Sequence, residues 1–211
     1  MKKRPAQKKR KNMAIAIERG TKLINRIQPP PETLPYHPLT AITTTDGRDR
    51  EYSEPLVPFM SEYGLQRARL EVLQEYLIAL DKTGITPRRI TPREKLTLRG
   101  ISTGFTMADA ETIKKIEAVE NHDVRAAQGF MRAKLGQSTL SDLIEYSGIC
   151  ATSEDFTGNA LRINITRAVR QVMVPTLEKI VGVFDERRHT EKPTPMQGRT
   201  HGMPAAPTTA E

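Results

Sequence analysis

The sequence predicts an all-α protein. Apolar residues recur at three- and four-residue spacing through most of the chain beyond residue 39. Two stretches, Thr91-Pro92 and Thr106-x-x-Asp109, carry the chemistry of helix starts. No segment shows the sustained apolar–polar alternation of a half-buried strand, and the one β element expected is a short hairpin within 190–200.

Residues 1–38 read as a leader. They hold ten Lys/Arg and two acidic residues, so the whole formal net charge of +8 lies there and the remainder is balanced. A weak amphipathic helix is expected over 13–27, around Ile15, Ile17, Leu23, Ile24 and Ile27. Pro29, Pro30 and Pro31, with Pro35 and Pro38, then enforce an extended linker. The leader is either a solvated extension or a contact for nucleic acid, membrane surface or an import machinery. The balanced body gives no support to a basic nucleic-acid face, so nucleic-acid contact is expected nowhere outside 1–38.

Several helices follow. Residues 55–80 carry Leu65, Val72, Leu73, Tyr76, Leu77 and Leu80 at helical spacing, with a break expected near Gly64. Thr91-Pro92 opens the next helix. Thr106 and Asp109 form a capping box for a helix carrying Ile113, Ile116 and Val119. Asn121 is expected to cap a helix whose apolar side runs Val124, Ala127, Phe130 or Met131, and Leu135, ending at Gly136. A shorter helix covers about 139–146. A long one over 157–187 should turn Leu161, Ile165, Ala168, Val169, Val172, Leu177, Ile180, Val181 and Phe184 inward and kink at Pro175. The final dozen residues, Thr200 to Glu211, read as a loop entering a helix, which suggests a truncated chain.

One cysteine, Cys150, excludes an internal disulfide framework and fits a reducing compartment. No run approaches 18 apolar residues, so no membrane-spanning helix is expected. His37, His122, His189 and His201 are too scattered to argue for a metal, and no phosphate-binding glycine loop occurs.

Four polar clusters could carry chemistry. Thr45-Asp46-Gly47-Arg48 is a turn presenting an arginine suited to phosphate or carboxylate, or an ordinary Asp-Gly turn. Asn121-His122-Asp123-Val124-Arg125 offers a histidine beside helix-terminal N–H groups, or plain capping. Thr152-Ser153-Glu154-Asp155 is an anion cradle or a cap. Gly198-Arg199-Thr200-His201-Gly202 holds a candidate general acid or base, or a loop histidine.

Taken in order, with Ser61-Glu62-Tyr63-Gly64-Leu65 between the first and second, these clusters resemble the adenylosuccinate lyase family of the fumarase/aspartase superfamily over about residues 39–211. Asn-His-Asp-Val and Thr-Ser-Glu-Asp are specific within the superfamily, whereas the Thr-His pair is shared more widely. The resemblance implies an N-terminal helical lyase domain over 39–149. It also implies, over 150–211, the first long helix of a truncated central bundle, the element that makes the family's homotetramer.

It further implies β-elimination of fumarate from adenylosuccinate and from the succinyl-aminoimidazole carboxamide ribotide of purine synthesis, in the cytoplasm, with no metal or organic cofactor. His201 would be the general acid and His122 would orient the substrate, with Asn121 and Asp123 beside it. Thr152 and Ser153 would bind substrate oxyanions, supported by Thr200, and Arg48 would hold the phosphate.

Two departures stand out. Asp49 occupies the place where the family often has Tyr, and the Gly-Ser-Ser-x-Met-Pro-x-Lys-x-Asn string that carries the family's catalytic base is absent from 1–211. The expectation is therefore a chain inactive by itself. The alternative is a non-catalytic, lyase-derived binding protein with a basic tail.

Overall fold

The computed structural model describes residues 33–191 and 194–209. The helix expected over 13–27 lies outside them. The chain forms two compact units, one through Arg167 and one from Ala168.

In the first unit, a 3-10 turn at Pro38–Thr40 leads to α1 (Asp46–Ser53), a 3-10 turn at Glu54–Leu56 and the short α2 (Val57–Met60). Helix α3 (Glu62–Thr83) is the central post. Then come α4 (Pro92–Thr103), α5 (Met107–Glu120), α6 (Asp123–Gly136), a 3-10 helix (Ser141–Tyr146) and α7 (Ser153–Ala168).

Helix α3 packs against α2, α4, α5 and α6. Leu70, Leu73 and Leu77 from α3, Leu98 from α4, Ile113 from α5, and Val124, Ala127, Phe130, Met131 and Leu135 from α6 are buried together. Both Phe130 and Met131 face inward, a choice the sequence left open. Val119 is exposed, because α5 buries only the face that carries Ala110 and Ile113. Phe156 of α7 meets the Tyr76 ring edge-on, with centroids 5.5 Å apart.

The helix starts follow local chemistry. Thr91 Oγ1 accepts from the Glu94 N–H, and the Glu94 carboxylate accepts from the Thr91 N–H at 2.9 Å, with Pro92 in the first turn. Thr106 and Asp109 repeat the arrangement on α5. The break in the long N-terminal helical stretch, expected near Gly64, falls at Ser61, three residues before it. Ser61 is extended and its hydroxyl caps the Gly64 N–H, so Gly64 lies inside the first turn of α3. Its lack of a side chain is needed there, since a Cβ would stand 2.5 Å from the Pro58 carbonyl oxygen.

The cap of α6 is also corrected. Asn121 takes the left-handed conformation, φ 51°, that ends α5, and His122 is the N-cap of α6. A helix-to-helix corner this tight needs one left-handed residue, and Asn tolerates that region better than most. The long helix begins at Ser153 rather than 157, because Thr152 and Asp155 make the first-turn cap.

In the second unit, a π turn (Val169–Met173) precedes α8 (Val174–Glu191). Pro175 sits in the first turn of α8, and the π turn accommodates its missing N–H where a kink was expected. Of the residues expected inward on the long helix, Ala168 is buried. Leu161, Ile165, Val169, Leu177, Ile180, Val181 and Phe184 are exposed.

The chain then forms an antiparallel hairpin, β1 (Met196–Thr200) and β2 (Met203–Thr208). Its first strand falls inside the 190–200 window where a hairpin was expected, and the turn and β2 replace the expected loop entering a helix. Pro204 and Pro207 argue against a central strand but are tolerated in a two-stranded ribbon, where each strand has a free edge. His201 and Gly202 form the two-residue connection, with φ 49° and 78°, the pattern of a type I′ turn that matches strand twist.

Two predictions follow from these contacts. Gly64→Ala should destabilise by about 1–3 kcal/mol through overpacking against Pro58. Gly158→Ala on α7, with open space around its Cβ position, should stabilise by up to about 1 kcal/mol from helix propensity alone. Urea denaturation of the two variants checks the contrast.

The Arg88 guanidinium, forked onto Glu94 at 2.8 and 3.0 Å, is the main reason that carboxyl drops from 4.5 to about 2. Its stabilisation is complete above the ordinary carboxylate value and is lost as pH falls from there toward 2. Glu94→Gln should therefore flatten the acid limb of a stability–pH curve in that window.

Candidate active site

The Asp46-Gly47-Arg48 segment is the opening of α1 rather than an isolated turn. Asp46 is buried and structural. Its carboxylate accepts from the Ile42 N–H at 2.7 Å and from the N–H and hydroxyl of Thr43, and the Ile42 bond is the leading reason its pKa is lowered. This stitching fixes the backbone that presents Arg48. The Arg48 side chain is 81% exposed, and its guanidinium grips the neighbouring Asp49 in a fork, with Nε at 3.0 Å and Nη2 at 3.2 Å. Asp49, held down mainly by that fork, is the residue facing the only cation the turn offers.

The second and third clusters come together. His122, at the start of α6, places Nε2 3.2 Å from Ser153 Oγ, at the start of α7. Its Nδ1 accepts from the Arg125 N–H at 3.4 Å, closing the cap of α6. In the neutral ring that carries its proton on Nε2, His122 donates to Ser153 and the Ser153 hydroxyl proton is free for another acceptor. When the ring is protonated, Asp123 Oδ1 at 3.4 Å is the counter-charge on the Nδ1 side. The geometry thus sets a hydroxyl, an imidazole and two helix N-termini together, an arrangement that favours an anionic ligand.

Asn121, His122 and Asp123 line an open cleft of about 610 Å³ with Lys114, Glu117 and Ala118. Lys114 is neutralised by Glu62 at 2.7 Å and Glu117 at 2.9 Å, and the Glu62 bond leads in raising its pKa. Thr152 is exposed, and its N–H and hydroxyl both donate to Asp155. Thr200 ends β1, and His201 stands at the exposed tip of the hairpin in the second unit. Among the described residues no three His, Cys, Asp or Glu side chains converge as metal ligands.

The sequence reasoning missed Arg69. It lies in α3, almost fully buried, and pairs with Asp123 while its Nε donates to Thr157 Oγ1 at 3.3 Å. Arg167 was missed in the same way: it is 1% exposed and bonds Glu71 at 2.7 and 2.9 Å. The available signal was a basic residue at a core-facing helical position, since a buried charge requires a partner.

A family model described as Lyase matches residues 47–210. Among characterised relatives, adenylosuccinate lyase from Haemophilus influenzae is 32% identical over 176 residues. The Dictyostelium discoideum enzyme of that name is 34% identical over 177 residues, and that of Escherichia coli K12 is 29% identical over 174. Each alignment covers 81% of this chain, and the chain spans 38% of each relative's length.

Proposed function

The chain belongs to the lyase family, and from that premise we propose that it carries part of an adenylosuccinate lyase active site, acting on adenylosuccinate and on the succinyl-aminoimidazole carboxamide ribotide. The observation that carries this reading is the 3.2 Å contact between His122 and Ser153, which unites two sequence clusters 31 residues apart at two helix N-termini.

The chemistry is a β-elimination. A base takes the proton from the succinyl carbon β to the leaving nitrogen. The C–N bond breaks, its electron pair goes to nitrogen, and an acid protonates that nitrogen as fumarate forms. In this reading His201 is the acid, and the hairpin tip leaves its imidazole open to solvent and substrate. Ser153 offers its free hydroxyl proton to a succinyl carboxylate, with Thr152 and Thr200 beside it in role. His122 holds Ser153 in that orientation and, with Asn121 and Asp123, forms the cleft wall. The Thr152 and Ser153 contacts sit at a helix N-terminus, where charge developing on the succinyl group is stabilised electrostatically.

Arg48 takes the phosphate once Asp49 is displaced from its fork. The exposed apolar residues of α8, Leu177, Ile180, Val181 and Phe184, fit a homotetrameric bundle and favour association. No helix among the described residues is long and apolar enough to cross a membrane, and the free, exposed Cys150 suits the reducing cytoplasm.

Calorimetry with adenylosuccinate tests the reading. His122→Ala and Ser153→Ala should each weaken binding about tenfold, the scale of one hydrogen bond to a charged group; equal binding by both variants and the unaltered chain would overturn it. The 211-residue chain should release no fumarate, because the serine-loop string is absent from it. Turnover near ~1 per second, an ordinary enzyme rate, would refute that division of roles. Asp49→Asn should strengthen AMP binding about two- to fivefold, as expected for an exposed ion pair, and the gain should shrink at high salt.

A further inference from the structure

We propose that Arg69 is a positioning residue that sets the separation between the N-termini of α6 and α7, and through it the contact between His122 and Ser153. The proposal rests on the reading of those two residues as substrate contacts.

The argument starts from burial. The Arg69 side chain is 6% exposed, so its charge has left water and must be matched. Two groups meet it, each from a different helix. Asp123, the first residue of α6, accepts from Nη2, and Thr157, on the second turn of α7, accepts from Nε. The planar guanidinium fixes the angle between those two bonds, so α3 holds α6 and α7 at one spacing. Asp123 is also tied to its own helix, where Oδ1 accepts from the Val124 N–H at 2.8 Å.

The residues next to these anchors are the ones that touch. His122 precedes Asp123, Ser153 lies one turn before Thr157, and their side chains meet at 3.2 Å. A hydrogen bond between two helix termini survives only while the spacing of those termini is held. Among the described residues, the Arg69 fork is the one charged link between α6 and α7. The lowered pKa of Asp123, opposed by its burial and produced chiefly by the Arg69 charge, agrees with a tight pairing.

The test is NMR titration of the full 211-residue chain without substrate, reading the Asp123 carboxyl carbon and the His122 ring nitrogens. Arg69→Met should raise the Asp123 midpoint by about one pH unit or more, the usual effect of removing a close opposite charge. It should also move the His122 Nε2 resonance to the position seen in Ser153→Ala. Glu71→Gln, which breaks the pairing of α3 with Arg167, should leave both signals in place despite a comparable loss of stability.

An unchanged Asp123 midpoint in Arg69→Met, or equal movement in Glu71→Gln, would overturn the proposal. If Arg69→Met does not fold, Arg69→Lys keeps the charge and loses the fork. Asp123 should then stay low while the His122 signal shifts, and wild-type values for both would also overturn it. These readouts need no ligand. A chain that shows the shifts yet binds adenylosuccinate equally well with and without Ser153 would refute the substrate role and leave the clamp standing.

Discussion

Two charged side chains on α3, Arg69 and Glu71, are paired or bonded to other helices, and the candidate site is arranged around those pairings. One side of α3 is apolar and seats Leu70, Leu73 and Leu77 in the core. The same helix carries Arg69 and Glu71, one nearly buried and one half-buried. Asp123 and Arg167 answer them. Either charge left unpaired would carry a desolvation penalty of several kcal/mol, so α6 and α7 must each bring a partner to α3. Apolar surfaces tolerate sliding; a forked guanidinium does not.

The candidate site inherits its geometry from those pairings. Helices α6 and α7 arrive with their N-termini together, and each brings the chemistry that its own cap selected. His122 caps α6 because Asn121 before it has turned left-handed to end α5. Thr152 is held by Asp155, which leaves Ser153 to meet the imidazole. Residues that begin as helix caps thereby become a polar wall. The cap and the site are two uses of the same unpaired N–H groups, which is why capping and anion binding could not be separated along the sequence.

A similar economy governs the Asp-Gly-Arg segment. Asp46 turns inward to hold the loop before α1, and Arg48 is pushed outward, where its nearest carboxylate is the adjacent Asp49. The hairpin at the other end of the chain places His201 by conformation rather than packing. Gly198 sits where β2 bulges, with a Cβ position 2.6 Å from the Ala206 carbonyl oxygen, and the left-handed His201-Gly202 pair turns the ribbon.

Helix starts at Thr91 and Thr106, the apolar stripe of α6 and the location of all excess charge in the leader were determined by the sequence alone. Each depends on residues three or four positions apart or on simple composition, so local chemistry suffices. The four polar clusters were legible for the same reason. What only tertiary structure decided were the pairings across long separations: His122 with Ser153 at 31 residues, Arg69 with Asp123 at 54, and Glu71 with Arg167 at 96. No periodicity encodes these, because a buried charge announces its need for a partner but not that partner's place in the chain. The register of the hairpin belongs with them, since proline spoke against a strand and only ladder formation between β1 and β2 could overrule it.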